Sequence, residues 1–510
     1  MNEQLRLVVT GASGFIGRHF VMAAMQQFKI YCLARRSQAE VDVPHHPNIV
    51  WIQTDIGDVQ QMAETASLIR KQGRAEVVLH LAGYYDFSLR DHPAYEKTNV
   101  QGTRNTLDLA RNIGARHFIF SSSLAACAFT PPGAAVSEAT PLTADFPYAR
   151  SKRQAEAIIT DSSQEMPASI VRLAAVFSDW CEYPPLYSLL ETWLSKSPLS
   201  FFTGGRGQFS LPYIHIKDVI KLFLRILECN GRFSSTRIYL ASPAETVSHQ
   251  EIFYTACRYF YNKPKKLFYL PKCLTWLGIG ARYLLSRIIG MHLFERPWMA
   301  RYLDSQLSVD PKATYEILNW KPTPRLAILR RLLFIIENKK IHTYRYQFRN
   351  QVQLQRFPER NTGLAFSSLS AVRDEVLTDV IKTVLDPSKI LSFFHCQRVE
   401  SSLLKAFVDR SYQLILLAVR TRDRSIISED IGDLASDFFE QGFSMHELVD
   451  FMSLLEQSMI RALEVRPELE SIQRDVSGYL ELTLQYCVDE IRDVYEQLQD
   501  IHRVQTIQVQ

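Results

Sequence analysis

Tyr148 and Lys152 stand four residues apart in Pro147-Tyr148-Ala149-Arg150-Ser151-Lys152, a spacing that puts both side chains on one face of a helix. A phenol with an ordinary pKa of about 10 is a poor acid at neutral pH, but a neighbouring ammonium favours the phenolate and lowers that value. The pair can therefore exchange a proton with a substrate oxygen. A Tyr and a Lys one turn apart also arise by chance on solvated helix edges, so their meaning depends on what surrounds them. Upstream, Ser121-Ser122-Ser123 closes a strand-like stretch, and a glycine-rich turn follows a short apolar run near the N-terminus.

Leu5 to Thr10 reads as a buried strand of a parallel sheet, followed by Gly11-Ala12-Ser13-Gly14-Phe15-Ile16-Gly17. Glycines three apart allow a tight turn and close approach to a pyrophosphate, with a new helix N-terminus facing the phosphates. Lys29 to Ala34 is a second strand, and Arg35-Arg36 follows where an acid would hold an NAD ribose. Guanidinium suits a 2′-phosphate, which favours NADP, with NAD as the alternative. Ile49 to Thr54 is a third strand, ending at Asp55-Ile56, where a carboxylate can accept from an adenine amino group. Val77 to Gly83 is a fourth, its Leu81-Ala82-Gly83 end small enough to leave room for a cofactor. Asn99 lies in a helical pattern that it favours poorly, which suggests a hydrogen-bonding duty. His117 to Phe120 is a fifth strand that delivers Ser121 to Ser123 to its carboxyl end. This alternation predicts an α/β fold with a doubly wound parallel sheet, whose ligands bind at the carboxyl ends of the strands.

At 510 residues the chain needs more than one hydrophobic core. A net charge of +4 is small for that length and points neither to a polyanion binder nor to an acidic tail, so no nucleic acid is expected. The eight cysteines are scattered, without metal-ligand spacing, and read as buried thiols in a reducing compartment; no metal site is expected. With no basic-then-apolar leader at Met1-Asn2-Glu3-Gln4, a cytoplasmic location is expected. The apolar stretch from Cys273 to Phe294 is interrupted by Arg282 and Arg287, so it should not span a bilayer. It can form a buried helix, roof an apolar pocket, or make a peripheral membrane contact.

Residues 5 to about 330 resemble the extended short-chain dehydrogenase/reductases, also called the NAD-dependent epimerase/dehydratase family. The resemblance is carried by Thr10-Gly11-x-x-Gly14-x-x-Gly17, Asp55, His80-Leu81-Ala82-Gly83, Asn99-Val100-x-Gly102-Thr103, Ser121-Ser122-Ser123 and Tyr148-x-x-x-Lys152. It implies a Rossmann-type fold with a small substrate-binding subdomain, mainly in 177–215 and 240–310. It also implies that Tyr148 is the general acid/base, that Lys152 tunes it and binds the nicotinamide ribose, and that Ser123 rather than Ser122 holds the substrate oxygen. Hydride transfer at nicotinamide C4 would be coupled to proton transfer through Tyr148.

Departures from the family pattern narrow the reaction. Arg172-Leu173-Ala174-Ala175 lacks the Asn common in nucleotide-sugar enzymes, and Leu124-Ala125 replaces the Asp-Glu of sugar dehydratases. These point to the branch resembling 3β-hydroxysteroid dehydrogenases and dihydroflavonol-type reductases, acting on an apolar sterol-, flavonoid- or lipid-like substrate. Tyr84, Tyr85, Phe87, Phe177, Trp180, Tyr183 and Trp193 are candidates for its pocket, with core packing expected to claim about half of them. A nucleotide-sugar epimerase or dehydratase, and a regulatory protein that senses cofactor, are the alternatives.

The NAD(P)-binding domain is expected over 1–338, a basic linker over 339–362 and a helical bundle over 363–510. The linker is read from Lys339, Lys340, Arg345, Arg349, Arg356 and Arg360, as a solvated segment or a strap on the reductase. Apolar stripes at Leu448, Phe451, Met452, Leu455, Met459, Ala462 and Leu463, and at Leu480, Leu484, Val488, Ile491, Tyr495 and Leu498, predict about five helices. Phe439 to Leu448 resembles a turn and helix start in helical sensor modules of stressosome-type regulators. A sensing or homodimerising role is expected for this domain, which carries no recognisable chemistry.

Overall fold

The computed structural model describes residues 4–38, 41, 43–86, 91–131, 133–229, 235–289, 297–342, 346–347, 349–350, 360–389, 393, 401–421, 427–464 and 473–509. The chain divides into two compact units, Met1–Gln353 and Leu354–Gln510.

The first unit is built on six strands in chain order: β1 (Arg6–Thr10), β2 (Lys29–Ala34), β3 (Ile49–Gln53), β4 (Val77–His80), β5 (His117–Ser123) and β6 (Ala168–Leu173). With the strand Arg237–Ala241 they form a seven-stranded parallel sheet in the order Arg237–Ala241, β6, β5, β4, β1, β2, β3. The strand order reverses between β1 and β4, where Thr10 stands opposite His80, so two loops leave the sheet side by side at its carboxyl edge. Successive side chains of each strand enter opposite layers, as the pleat requires. Leu7, Val9, Ile30, Cys32, Leu79 and Ile119 pack into one core; Val8, Tyr31, Leu33, Val78, Phe118 and Phe120 pack into the other. Unbroken apolar runs are what a sheet covered on both faces demands.

Helices α1 (Phe15–Ala24), α2 (Val59–Lys71), α3 (Gly102–Ile113) and α4 (Pro147–Asp161) cover the sheet. Asp58 caps α2 by accepting from the amides of Gln60 and Gln61, and Pro147 opens α4 where its missing N–H costs nothing. The expected helical pattern around Asn99 is a π-helical turn, Tyr95–Gln101, continuous with α3. β5 runs three residues past its expected end, because Ser121 to Ser123 pair with Val171 to Leu173.

Within the expected substrate subdomain, short strands pair in twos: Ala175–Phe177 with Tyr213–His215, Phe202–Gly204 with Phe268–Leu270, and Ser210–Leu211 with Val247–Ser248. The helix Ile328–Ile341 closes the unit. Arg331 grips Asp179 through two hydrogen bonds of 2.7 and 2.6 Å, and Lys339 pairs with Glu191. Of the two readings of the stretch after residue 338, its described residues support the strap. Tyr346 is fully buried, and Asn350 donates to the carbonyl of Trp180 at 2.6 Å, so the chain straps the first unit as far as residue 350. Aromatic and amide side chains drive this: they find an apolar seat and a buried carbonyl that a solvated linker would not offer. Arg345 and Arg356 lie outside the described residues, as do Phe87, His395 and Cys396.

In the second unit the described residues form five long helices: Arg360–Val384, Ser401–Thr421, Ser428–Glu440, Met445–Glu464 and Gln473–Val509. Both expected stripes are buried, except that Leu498 is half-buried. Gly442, at φ 84°, turns the chain between the third and fourth of these helices, and Ser444 accepts from the amide of Glu447 to cap the fourth.

Candidate active site

The glycine loop leaves β1 against the loop leaving β4. Gly11 has φ 68°, and a Cβ added there would lie 2.7 Å from the Ala82 nitrogen; one added to Gly17 would lie 2.2 Å from the Gly11 carbonyl oxygen. Neither position tolerates a side chain, so the backbone can approach a ligand closely. Gly14 precedes α1 without a side-chain cap, and the first turn, at Phe15 and Ile16, holds no acid. Its amides and the positive end of the helix suit an anion, and the residues present fit a dinucleotide pyrophosphate.

Arg36 donates to the Ser13 carbonyl, which brings its guanidinium to the glycine loop, and its own carbonyl is held by Trp51 Nε1 at 2.9 Å. The Arg35 carbonyl accepts from Gln53 at 2.8 Å. Burial raises the pKa of Asp55, but the hydrogen bonds from Lys97 and the Gly57 amide, with the charges of Lys97 and Arg35, outweigh it and leave the carboxyl below its ordinary value. Ile56 is buried and its carbonyl accepts from Asn105.

The family resemblance implies that Thr10 borders the cofactor, and its side chain is fully buried. It bonds His80 Nδ1 at 2.7 Å and accepts from the Ala82 amide at 3.2 Å, while His80 Nε2 reaches Thr103 at 3.1 Å. Burial pushes the His80 imidazole down to about 3, so it stays neutral. This chain of bonds holds the ends of β1 and β4 together.

Asn99, buried in the π-helical turn, bonds both backbone groups of Tyr84 at 2.6 and 2.9 Å and donates to Ser151 Oγ at 2.8 Å. Ser151 in turn donates to the Tyr148 carbonyl at 2.8 Å. Asn99 thus ties the loop after β4 to the first turn of α4. The hydrogen-bonding duty expected of Asn99 is this bracing of Tyr84 and Ser151, beside the cofactor contact that the family resemblance implies for it.

Lys152 is buried, and its ammonium donates to the Ser121 carbonyl at 2.7 Å. Its Nζ lies 5.8 Å from the centroid of the Tyr148 ring and 4.6 Å from that of Phe120. A Cβ on Gly83 would lie 3.6 Å from both Lys152 Nζ and Asn99 Oδ1, so Tyr148, Lys152, Asn99 and Gly83 form one cluster. Burial lowers the Lys152 pKa to about 8, against an opposing pull from Glu156.

The serine run divides by the strand's alternation. Ser122 Oγ donates to Glu156 at 2.5 Å, and Glu156 is in turn held by Arg172 at 2.9 Å in a buried pair. Ser123 is half-buried, and its oxygen accepts from the Ala125 amide at 3.1 Å, leaving its O–H as a donor. Sequence reasoning missed the Glu156–Arg172 pair. Glu156 lies four residues after Lys152, one turn further along the same helix, and that spacing was a legible signal.

Tyr85 packs edge-on against Tyr148 at 4.4 Å between centroids, and Tyr95 lies 6.5 Å away. Burial, aided by Tyr148, pushes the Tyr183 phenol above its ordinary value. Phe177 and Trp193 belong to the core instead: Phe177 packs on His215, and Trp193 on Phe253. Trp180 stacks beside His342 and Arg349, on the strap.

Residues 7–240 match the family described as NAD dependent epimerase/dehydratase family. A Synechocystis sp. protein provisionally named a dihydroflavonol 4-reductase is 25% identical over 41% of this chain and 60% of its own length. A dTDP-glucose 4,6-dehydratase of Mycobacterium tuberculosis is 26% identical over 47% of this chain and 72% of its own. The 3 beta-hydroxysteroid dehydrogenase type 7 of Mus musculus is 29% identical over 31% and 44%. The chain thus spans between about two fifths and three quarters of these relatives. Among solved structures, UDP-glucose 4-epimerase of Thermotoga maritima with UDP-glucose superposes with a TM-score of 0.51 at 19% identity, over 66% of this chain and 100% of that one. A dTDP-glucose 4,6-dehydratase of Bacillus anthracis in complex with NAD gives 0.50 at 18% identity, over 66% and 97%. These likenesses establish the fold.

Proposed function

We propose that the first unit of this chain, whose residues 7–240 match the NAD dependent epimerase/dehydratase family, is an NADP-dependent oxidoreductase interconverting an alcohol and a carbonyl on an apolar small molecule. The observation that carries this is the buried Lys152 ammonium, anchored on the Ser121 carbonyl beside the Tyr148 ring and the small Ala82-Gly83 end of β4.

When bound, the nicotinamide supplies or accepts the hydride. Residues 11–17 and the start of α1 would hold the pyrophosphate, Arg35 and Arg36 a 2′-phosphate, and Lys152 the nicotinamide ribose. In the reducing direction Tyr148 donates its phenolic proton to the substrate oxygen as charge develops there, and the Lys152 charge stabilises the phenolate left behind. Ser123 donates a hydrogen bond to the same oxygen and fixes its place between the two groups. Tyr85 and Tyr183 supply aromatic wall near Tyr148, in keeping with a ring-bearing or lipid-like substrate.

A nucleotide-sugar reading draws on the relatives named as dehydratases. Against it stand Leu124-Ala125 after Ser123 and Ala174-Ala175 after Arg172, which supply no second acid or base for eliminating water and no amide for a sugar diphosphate. Calorimetry with UDP- and dTDP-sugars, beside titrations with NADPH and NADH, separates the readings. The oxidoreductase reading expects tight NADPH, weaker NADH and no sugar-nucleotide heat. A sugar nucleotide that binds as tightly as NADPH overturns it.

A further inference from the structure

Surface helices ordinarily turn polar residues outward, and the helix Lys272–Ile289 does the reverse over its first two turns. Thr275 is buried there, while Leu274, Trp276 and Leu277 are 52, 57 and 58% exposed. Gly278 and Gly280 are open, with nothing within 4 Å of an added Cβ. Thr275 is held inward because Gly204 lies beneath it: a Cβ on Gly204 would meet Thr275 Cγ2 at 2.4 Å. That contact seats the helix on the small sheet formed by Phe202–Gly204 and Phe268–Leu270.

The same sheet edge carries more exposed aromatic surface. Phe268 is 51% exposed, and its ring lies 5.7 Å from that of Phe202, which is exposed as well, with Phe201 beside it. Exposed large side chains so gathered are unusual on a soluble surface, since isolated ones are the norm.

The segments that hold the patch carry charges of one sign. Residues 194–209 and 262–280, which hold the patch, contain Lys196, Arg206, Lys263, Lys265, Lys266 and Lys272 and no Asp or Glu. Lys265 Nζ stands 4.5 Å from the Phe201 ring centroid, and Lys263, Lys266 and Lys272 are exposed. The neighbouring acid, Asp304, is largely buried; its carboxylate accepts from the Arg206 amide at 2.6 Å and pairs with Lys272 at 3.7 Å, which leaves Lys263 and Lys266 as exposed cations of the patch without an acid in these segments. Aromatic and aliphatic side chains ringed by lysines match the two parts of an anionic lipid surface, whose acyl boundary takes the former and whose headgroups take the latter. Among the described residues no helix is long and apolar enough to cross a membrane, so the contact is peripheral.

We propose that this face, formed by Phe201, Phe202, Phe268, Leu274, Trp276 and Leu277 within a ring of lysines, docks the protein on an anionic lipid bilayer. Flotation of the full chain with vesicles of phosphatidylcholine alone, or mixed with phosphatidylglycerol, reads this directly. The protein should float with the mixed vesicles, stay behind with the neutral ones, and detach as salt is raised. Lys263→Ser with Lys266→Ser should weaken binding roughly fivefold for each cation removed. Trp276→Ser with Leu277→Ser should abolish flotation while NADPH affinity and thermal unfolding stay at wild-type values, since neither residue is part of the core. Equal binding to both vesicle types, no binding to either, or binding unaltered by these substitutions would overturn the proposal. So would a halved mass for the Trp276/Leu277 variant in solution without lipid, which would assign the face to a second copy of this chain.

Discussion

Ser122 and Ser123 are adjacent, chemically identical and destined for opposite tasks, because one residue along a strand reverses the side chain's direction. Ser122 completes a buried cluster with Glu156 and Arg172, so Ser122→Ala should cost about 1–3 kcal/mol of stability, read by urea unfolding, with turnover nearly intact. Ser123→Ala should do the opposite, lowering turnover with little change in unfolding. Lys152 yields a pH prediction. Its pKa is lowered from 10.5 to about 8, chiefly by burial, so the ammonium persists at neutral pH and is lost as pH rises through about 8. Turnover should fall across that window, and Lys152→Met should remove the dependence along with most of the rate. The sign for stability is the reverse. The unfolded chain binds the proton more tightly, so the burial penalty is fully present below about 8 and relieved as pH rises towards 10.5. Lys152→Met should therefore unfold at pH 7 no earlier than wild type.

At the scale of elements, the glycine loop, the strands and α4 were legible because each is a local pattern: apolar runs bounded by small residues, and a Tyr and Lys at helical spacing. What was illegible joins distant segments. No periodicity links Asp179 to Arg331, yet that pair fastens the helix Ile328–Ile341, assisted by His215 at 3.2 Å from the carboxylate. Burial raises the Asp179 pKa, but hydrogen bonds from His215 and Arg331 outweigh it and bring it down to about 2. The contribution is present above the ordinary value of 3.8 and disappears as pH falls towards 2. Arg331→Met should lower stability by about 1.5–3 kcal/mol at pH 7, with the difference shrinking in acid, as calorimetry at both ends would show. The helix Lys272–Ile289 was ambiguous for a related reason. Its apolar residues have the composition of a core segment, and only the contact of Thr275 with Gly204 settles which way they face.

At the scale of the whole molecule, each of the two units buries its own apolar residues, and the candidate site lies in the first. The boundary was harder to read than either unit, because Lys339, Lys340 and Arg349 look like linker charge in sequence while Tyr346 and Asn350 between and beside them are buried. Scanning calorimetry of the full chain with NADPH at a hundred times its Kd should raise the transition of the first unit by about 2.7 kcal/mol. A shift confined to the helical unit would put the cofactor in the wrong half of the chain.

The enzyme reading depends on a phenol that gives up its proton beside a held ammonium. NADPH oxidation by the wild type and by Tyr148→Phe, assayed over a panel of apolar ketones and aldehydes, tests it most directly. Turnover by the wild type should fall by about 10²–10⁴ in the variant, with NADPH affinity preserved. Equal rates in the two proteins would contradict a proton transfer through Tyr148.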